Sequence, residues 1–130
     1  MKRVIVFLMF IVFTELLNGQ ARIGSTEKEI IIELNENGID SHRENLKNDD
    51  YFIRFETARA EVYYLFGNDK ICYATAIFPK TQGDLNYYVE AYNKKYVIIS
   101  ATEWKMYSNE GITSIKLMFT EDKQSFFYWQ

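Results

Sequence analysis

A chain of 130 residues with 48% hydrophobic, 25% charged and 17% aromatic side chains is too apolar for a disordered protein, and its length supports one hydrophobic core rather than two. The formal net charge of −3, with Lys94-Lys95 the longest basic run beyond the first residues, argues against nucleic acid as a partner, because phosphates call for clustered Lys and Arg. One cysteine, Cys72, excludes an intramolecular disulfide, and together with the single histidine, His42, it falls short of a zinc site.

Met1-Lys2-Arg3 is a basic start, Val4 to Phe13 is apolar throughout, and Gly19 and Ala21 are small residues at the spacing a signal peptidase uses. A spanning helix needs about 20 apolar residues to cross roughly 30 Å of hydrocarbon, and this run is shorter and is broken by Glu15. Residues 1–21 therefore read as a signal peptide, cut after Ala21 or alternatively after Gln20, and residues 22–130 as one exported domain, periplasmic or secreted. Loss of Lys2, Arg3 and Glu15 leaves the remainder one charge more acidic. No cysteine directly follows the apolar run to carry a lipid, so no stable membrane attachment is expected. Without disulfides the domain must be held by its core, and rings that each remove about 150 to 250 Å² from water make that feasible. Cys72, set in Ile71-Cys72-Tyr73-Ala74, reads as a small buried hydrophobe.

Thr26 followed by Glu29 is a capping-box pattern that opens a helix; Ile30, Ile31 and Leu34 share one face, and Asn37-Gly38 ends it. From Ile39 to Asp50 the chain is polar with little periodicity, which predicts a loop. The period then changes to two. Tyr51 to Glu56, Ala60 to Phe66 and Ile71 to Phe78 read as three antiparallel strands, with Gly67-Asn68-Asp69-Lys70 as a turn and Pro79 as a stop. Thr81-Gln82-Gly83-Asp84 starts a second helix, whose Leu85, Tyr88, Val89 and Tyr92 recur at helical spacing. Tyr96 to Ser100, Glu103 to Tyr107, Ile112 to Phe119 and Ser125 to Trp129 follow as further strands. Sequential hairpins point to an α+β fold: an antiparallel sheet of six or seven strands with two short helices on one face. Each half has the same grammar, a helix and then a strand meander, although residue identity between the halves does not establish a duplication.

A signal ending in Gly-Gln-Ala, the stretch Gly-Ser-Thr-Glu-Lys-Glu-Ile at Gly24 to Ile30 and the hairpin Tyr-Tyr-Leu-Phe-Gly-Asn-Asp-Lys at Tyr63 to Lys70 resemble small exported proteins of unassigned role of the Bacteroidota type. The helix-then-strands unit is similar to that of beta-lactamase-inhibitor-like domains and of outer-membrane-assembly lipoproteins, from which this chain departs in lacking a lipidation cysteine. The resemblance carries over no catalytic residue.

Catalytic and metal chemistry finds little support. His42 lies in polar Ser41-His42-Arg43-Glu44 and reads as a solvated histidine, so no catalytic residue is assigned. Asp49-Asp50 and Glu121-Asp122 lack the alternating acidic loop that wraps calcium and read as turns. No cofactor or metal is expected. What stands out is aromatic surplus. Cys72, Ala74 and Ala76 form a small-residue side that a helix can approach, leaving Tyr73 on the other side with Tyr107 or Trp104, and Tyr128 or Trp129, according to register. Two short helices cover only one face of such a sheet. Tyr73, Trp104, Tyr107, Tyr128 and Trp129 are therefore the candidate binding residues, and a non-enzymatic module recognising a protein or peptide is the expected function. A carrier of a small hydrophobic ligand is the alternative, and a small secreted hydrolase built on His42 a further one.

Overall fold

The computed structural model describes residues 22–130; the signal peptide expected over residues 1–21 lies outside the described residues. In the first helix, α1 (Glu27–Glu36), Thr26 Oγ1 accepts the Glu29 backbone N–H at 3.2 Å, which satisfies one of the amides a helix start leaves open. Ile30 and Leu34 are its buried residues, and Gly38, at φ +68°, takes the left-handed conformation just beyond its end. The preceding segment is laced to the β-sheet: Gly24 N donates to the Cys72 carbonyl at 2.8 Å and Cys72 N to the Ser25 carbonyl at 2.9 Å. Arg22, ion-paired with Glu33, is itself buried.

The strands are β1 (Ser41–Asn45), β2 (Tyr51–Glu56), β3 (Ala60–Phe66) and β4 (Cys72–Pro79), then, after the second helix α2 (Gln82–Lys95), β5 (Val97–Ser100), β6 (Glu103–Ser108), β7 (Gly111–Phe119) and β8 (Ser125–Trp129). They form one antiparallel sheet of eight strands in the order β1-β2-β3-β4-β8-β7-β6-β5. Among the described residues the fold is thus α+β with two helices, and the expected six or seven strands are corrected to eight. The added strand is β1, inside the stretch expected to be a loop. Its polarity hid it: β1 borders the sheet on one side only, so it needs no apolar alternation. Arg43 fastens it to α1 by an ion pair with Glu27 at 2.9 Å and lies over the Tyr51 ring at 3.9 Å.

The strand order maps onto itself when each element of the first half is exchanged with its counterpart in the second. Each half is a helix followed by a four-strand meander, and β4 and β8, the last strands, pair antiparallel at the centre. The shared grammar of the halves therefore corresponds to a two-fold arrangement of elements.

Register places both helices on one face. Phe55, Val62, Ile77 and Phe127 form one cross-strand row, and Ile53, Tyr64, Thr75, Trp129, Ile115 and Trp104 the next. All are buried, in one core with Ile30 and Leu34 of α1 and Tyr88 and Tyr92 of α2. Tyr92 is the hub of the second half, with ring centroids 4.9 Å from Phe127, 5.5 Å from Trp129 and 5.6 Å from Trp104. Such edge-to-face contacts each add about 0.5–1.5 kcal/mol beyond area burial. Among the described residues no helix is long and apolar enough to cross a membrane.

Candidate functional site

The face of the sheet away from the helices is built from the alternate residues: Phe52 and Arg54 of β2, Glu61, Tyr63 and Leu65 of β3, Ala74, Ala76 and Phe78 of β4, Phe126 and Tyr128 of β8, Lys116 and Met118 of β7, and Lys105 and Tyr107 of β6. Four rings on four adjacent strands run across it. Phe52 meets Tyr63 edge-on at 5.2 Å, Tyr63 meets Phe78 edge-on at 5.4 Å, and Phe78 stacks on Phe126 at 4.9 Å with 21° between planes. All four are half-buried, because they shield one another with neither α1 nor α2 above them.

A polar cluster is set into this row. The Tyr63 hydroxyl donates a hydrogen bond to Glu61 Oε1, and Arg54 Nη1 approaches the same oxygen at 3.0 Å. The hydroxyl of Tyr63 and then the guanidinium of Arg54 hold the Glu61 carboxyl below its ordinary value. Partial burial, and after it the bond to Glu61, pushes the Tyr63 phenol up to about 12. The cluster therefore keeps its charges paired at neutral pH, with the phenol as a fixed donor.

The five candidates separate by face. Tyr73 is 41% exposed and Tyr107 57% exposed, and Tyr128 is half-buried on the open face opposite Ala76. Trp104 and Trp129 are corrected: both are 0% exposed, lie beneath α2, and are core residues that no partner can touch. The Trp104 indole N–H is spent internally on Asn93 Oδ1 at 2.8 Å.

The expected phase of β4 is also corrected. Leu65 pairs with Ala74 but Phe66 with Cys72, so Tyr73 is the extra residue of a β-bulge. Cys72 accordingly sits on the helix side with Thr75 and Ile77, while Ala74 and Ala76 fall on the open face. Cys72 is buried as expected, and burial pushes its thiol up to about 11, which keeps it protonated and unreactive. The bulge turns Tyr73 toward the rim, where its hydroxyl reaches Asp50 Oδ2 at 3.4 Å.

Sequence reasoning missed Phe52, Tyr63, Phe78 and Phe126. The signal was present: Tyr51 to Phe55 and Ala60 to Phe66 carry large apolar residues at both phases of the strand period, with Arg54 and Glu61 as the exceptions, which a sheet covered on one face does not require.

Elsewhere, the cavities lined by described residues are small or open to solvent. A void of about 10 Å³ between α1 and the sheet, lined by Ile30, Leu34, Phe55 and Tyr64, has room for about one water rather than for a ligand. Asp40, His42, Arg54 and Glu56 line an open depression of about 410 Å³ at the β1 border. Among the described residues no hydrogen bond ties His42 to a serine or carboxylate, and no three Cys, His, Asp or Glu residues gather closely enough to hold a metal. No protein-family model matches the chain, and neither a curated protein nor a solved structure is similar to it.

Proposed function

We propose that residues 22–130 are an exported, non-enzymatic binding module, periplasmic or secreted, that recognises a protein or peptide through the face formed by Phe52, Tyr63, Phe78, Phe126 and Tyr128, with Tyr73 and Tyr107 at its borders. The observation that carries this reading is the row of four half-buried rings on the side of the sheet that, among the described residues, no helix covers. Large uncovered apolar surfaces on small domains mark partner sites, and Tyr is a frequent anchor in them.

Ring geometry favours a polypeptide over a sugar. Phe78 and Phe126 stack across neighbouring strands at 4.9 Å, close to the ~4.8 Å strand spacing and too near for both rings to lie flat side by side, so they turn edges outward. Upright edges leave slots for aliphatic or aromatic side chains, whereas a sugar wants a ring lying flat. Arg54, Glu61 and Tyr63 give a partner polar atoms to register against, and inhibitor or immunity-like roles fall within the same reading. The void beneath α1 is too small for a ligand, and the larger depression of about 590 Å³ beside Ile31, Ile32 and Lys70 is open rather than enclosed, which speaks against the alternative of a hydrophobic-ligand carrier.

The test is site-specific photo-crosslinking in the native host's envelope and culture medium. A probe at Tyr107 or Tyr128 should give a discrete protein adduct, and a probe at Ile32, exposed on the outer side of α1, should not. Equal labelling from both positions, or none from either, would remove the basis for the assignment.

A further inference from the structure

At one border of the sheet the strand within is apolar and the strand that covers it is not. The inner strand is β2, whose Tyr51, Ile53 and Phe55 are buried in the core. Among the described residues only β1 lies against its outer backbone edge, in register from Ser41 opposite Phe55 to Asn45 opposite Tyr51. β1 contributes almost nothing apolar: it reads Ser-His-Arg-Glu-Asn, and His42 to Asn45 are exposed. It is undercut at both ends, by the depression of about 410 Å³ beside Asp40 and His42 and by another of about 500 Å³ beside Asn45 and Leu46. Segments with few buried apolar contacts and solvent-exposed backbone bonds open at a lower free energy than the core they lie on.

A single side chain ties β1 to the body of the protein. Glu27 of α1 accepts from Arg43 Nη1 at 2.9 Å on Oε1 and from the Tyr51 hydroxyl at 2.8 Å on Oε2, and the Arg43 guanidinium lies 3.9 Å above the Tyr51 ring. Among the described residues no other side chain of β1 forms a hydrogen bond or an ion pair. Tyr51 does not depend on β1 for its place, because its ring stacks on Phe66 at 5.0 Å with 7° between planes. We propose that β1 is a strap that lifts from β2 as a unit while the rest of the fold stays closed, with Arg43 as the latch and the Glu27–Tyr51 pair as a standing post. The ends of the strap are held where the chain meets the body: Ile39 packs against the core, and Asp50 Oδ2 accepts from the Tyr73 hydroxyl at 3.4 Å. Lifting leaves the post assembled, so the guanidinium returns to a preformed seat. While the strap is lifted, β2 is the border of the sheet, with its backbone edge open from Tyr51 to Glu56 and with Phe52 and Arg54 at the margin of the open face. The strap thereby decides whether the sheet ends in a charged strand or in an aromatic one.

Native-state amide exchange, followed by NMR on protein purified after expression of the full chain, tests this directly. The amides of the β1–β2 ladder should exchange through an opening at least about ten-fold more frequent than the one that exposes β3, β4 and β8. Arg43→Ala should raise that opening by about ten-fold, from loss of the ion pair and the ring contact together, and Arg43→Lys, which keeps the charge, by less. Glu27→Gln should raise it in the parent and add nothing to Arg43→Ala, since the bond of Tyr51 to position 27 is made in the closed and the lifted state alike. Ile115→Val, a change at a fully buried site on β7, should speed exchange of β3, β4 and β8 by about five-fold and leave that of β1 unaffected. Exchange of β1 that matches β3 and rises with it in Ile115→Val would make β1 a fixed part of the fold. Exchange of β1 that is indifferent to Arg43→Ala, or raised further by Glu27→Gln in that variant, would remove the latch. Either result overturns the proposal.

Discussion

On the helix side of the sheet, Tyr88 and Tyr92 of α2 pack among Trp104, Phe127 and Trp129; on the other side, Phe52, Tyr63, Phe78 and Phe126 have mainly one another. The first set is buried and the second half-buried, although both are aromatic-rich. Aromatic content alone therefore does not locate a core. Closure by a second layer does, since a helix above the sheet removes the outer halves of rings that strands shield only from the sides. The residue types on the two faces are similar, and their energetic roles should differ accordingly.

The largest effect that would break this comparison is at Trp129. Trp129→Ala should lower stability by about 3–5 kcal/mol in urea unfolding, because the space it leaves is bounded by a helix and a sheet that cannot both collapse into it. A loss below about 1 kcal/mol would mean that the helix-covered face is not the principal core.

Alkaline pH gives the next effect and draws on both faces. Burial pushes Cys72 from 9.0 to about 11; burial, with the bonds to Glu27 and Glu61, pushes Tyr51 and Tyr63 from 10.0 to about 12. The folded protein keeps protons that the unfolded chain releases, so stability from these groups is complete below pH 9 and falls as pH climbs toward 12. The melting temperature should accordingly be flat on their account from pH 7 to 9 and then decline. In Cys72→Ala the onset should move toward pH 10, and an unchanged onset would remove the thiol from this account.

On the open face, Phe126→Ala should lower stability by about 1–2 kcal/mol, since the ring has Phe78 on one side and solvent above. A loss equal to that of Trp129→Ala would make the open face a second closed core and leave the binding proposal without a surface. Smallest of all, Tyr107→Ser should stay within about 0.5 kcal/mol of the parent, because its ring is more than half exposed. The same substitution should reduce partner crosslinking from the open face.

Much of the fold was legible in residue order. Thr26, Glu29 and Gly38 mark α1, and the spacing of Leu85, Tyr88, Val89 and Tyr92 marks α2, because caps and helical period act within a few residues. Seven of the strands follow from period-two alternation and turn residues. β1 did not, since an edge strand held by Arg43 to a helix sixteen residues earlier has no local apolar signature. The candidate site was legible only in part. Aromatic surplus points to Tyr73, Tyr107 and Tyr128, which the fold leaves accessible, while the row from Phe52 to Phe126 spans four strands and exists only once β8 is inserted beside β4.

By itself the sequence determined which segments are helices and which alternate, and that the rings outnumber what two helices can cover; these are properties of neighbouring residues. The tertiary structure alone decided which phase of each strand faces the helices, because alternation defines two sides without naming either. The bulge at Tyr73, the central β4–β8 pairing and the docking of α2 over Trp104 and Trp129 made that choice, placing the tryptophans inside and leaving the phenylalanine row open.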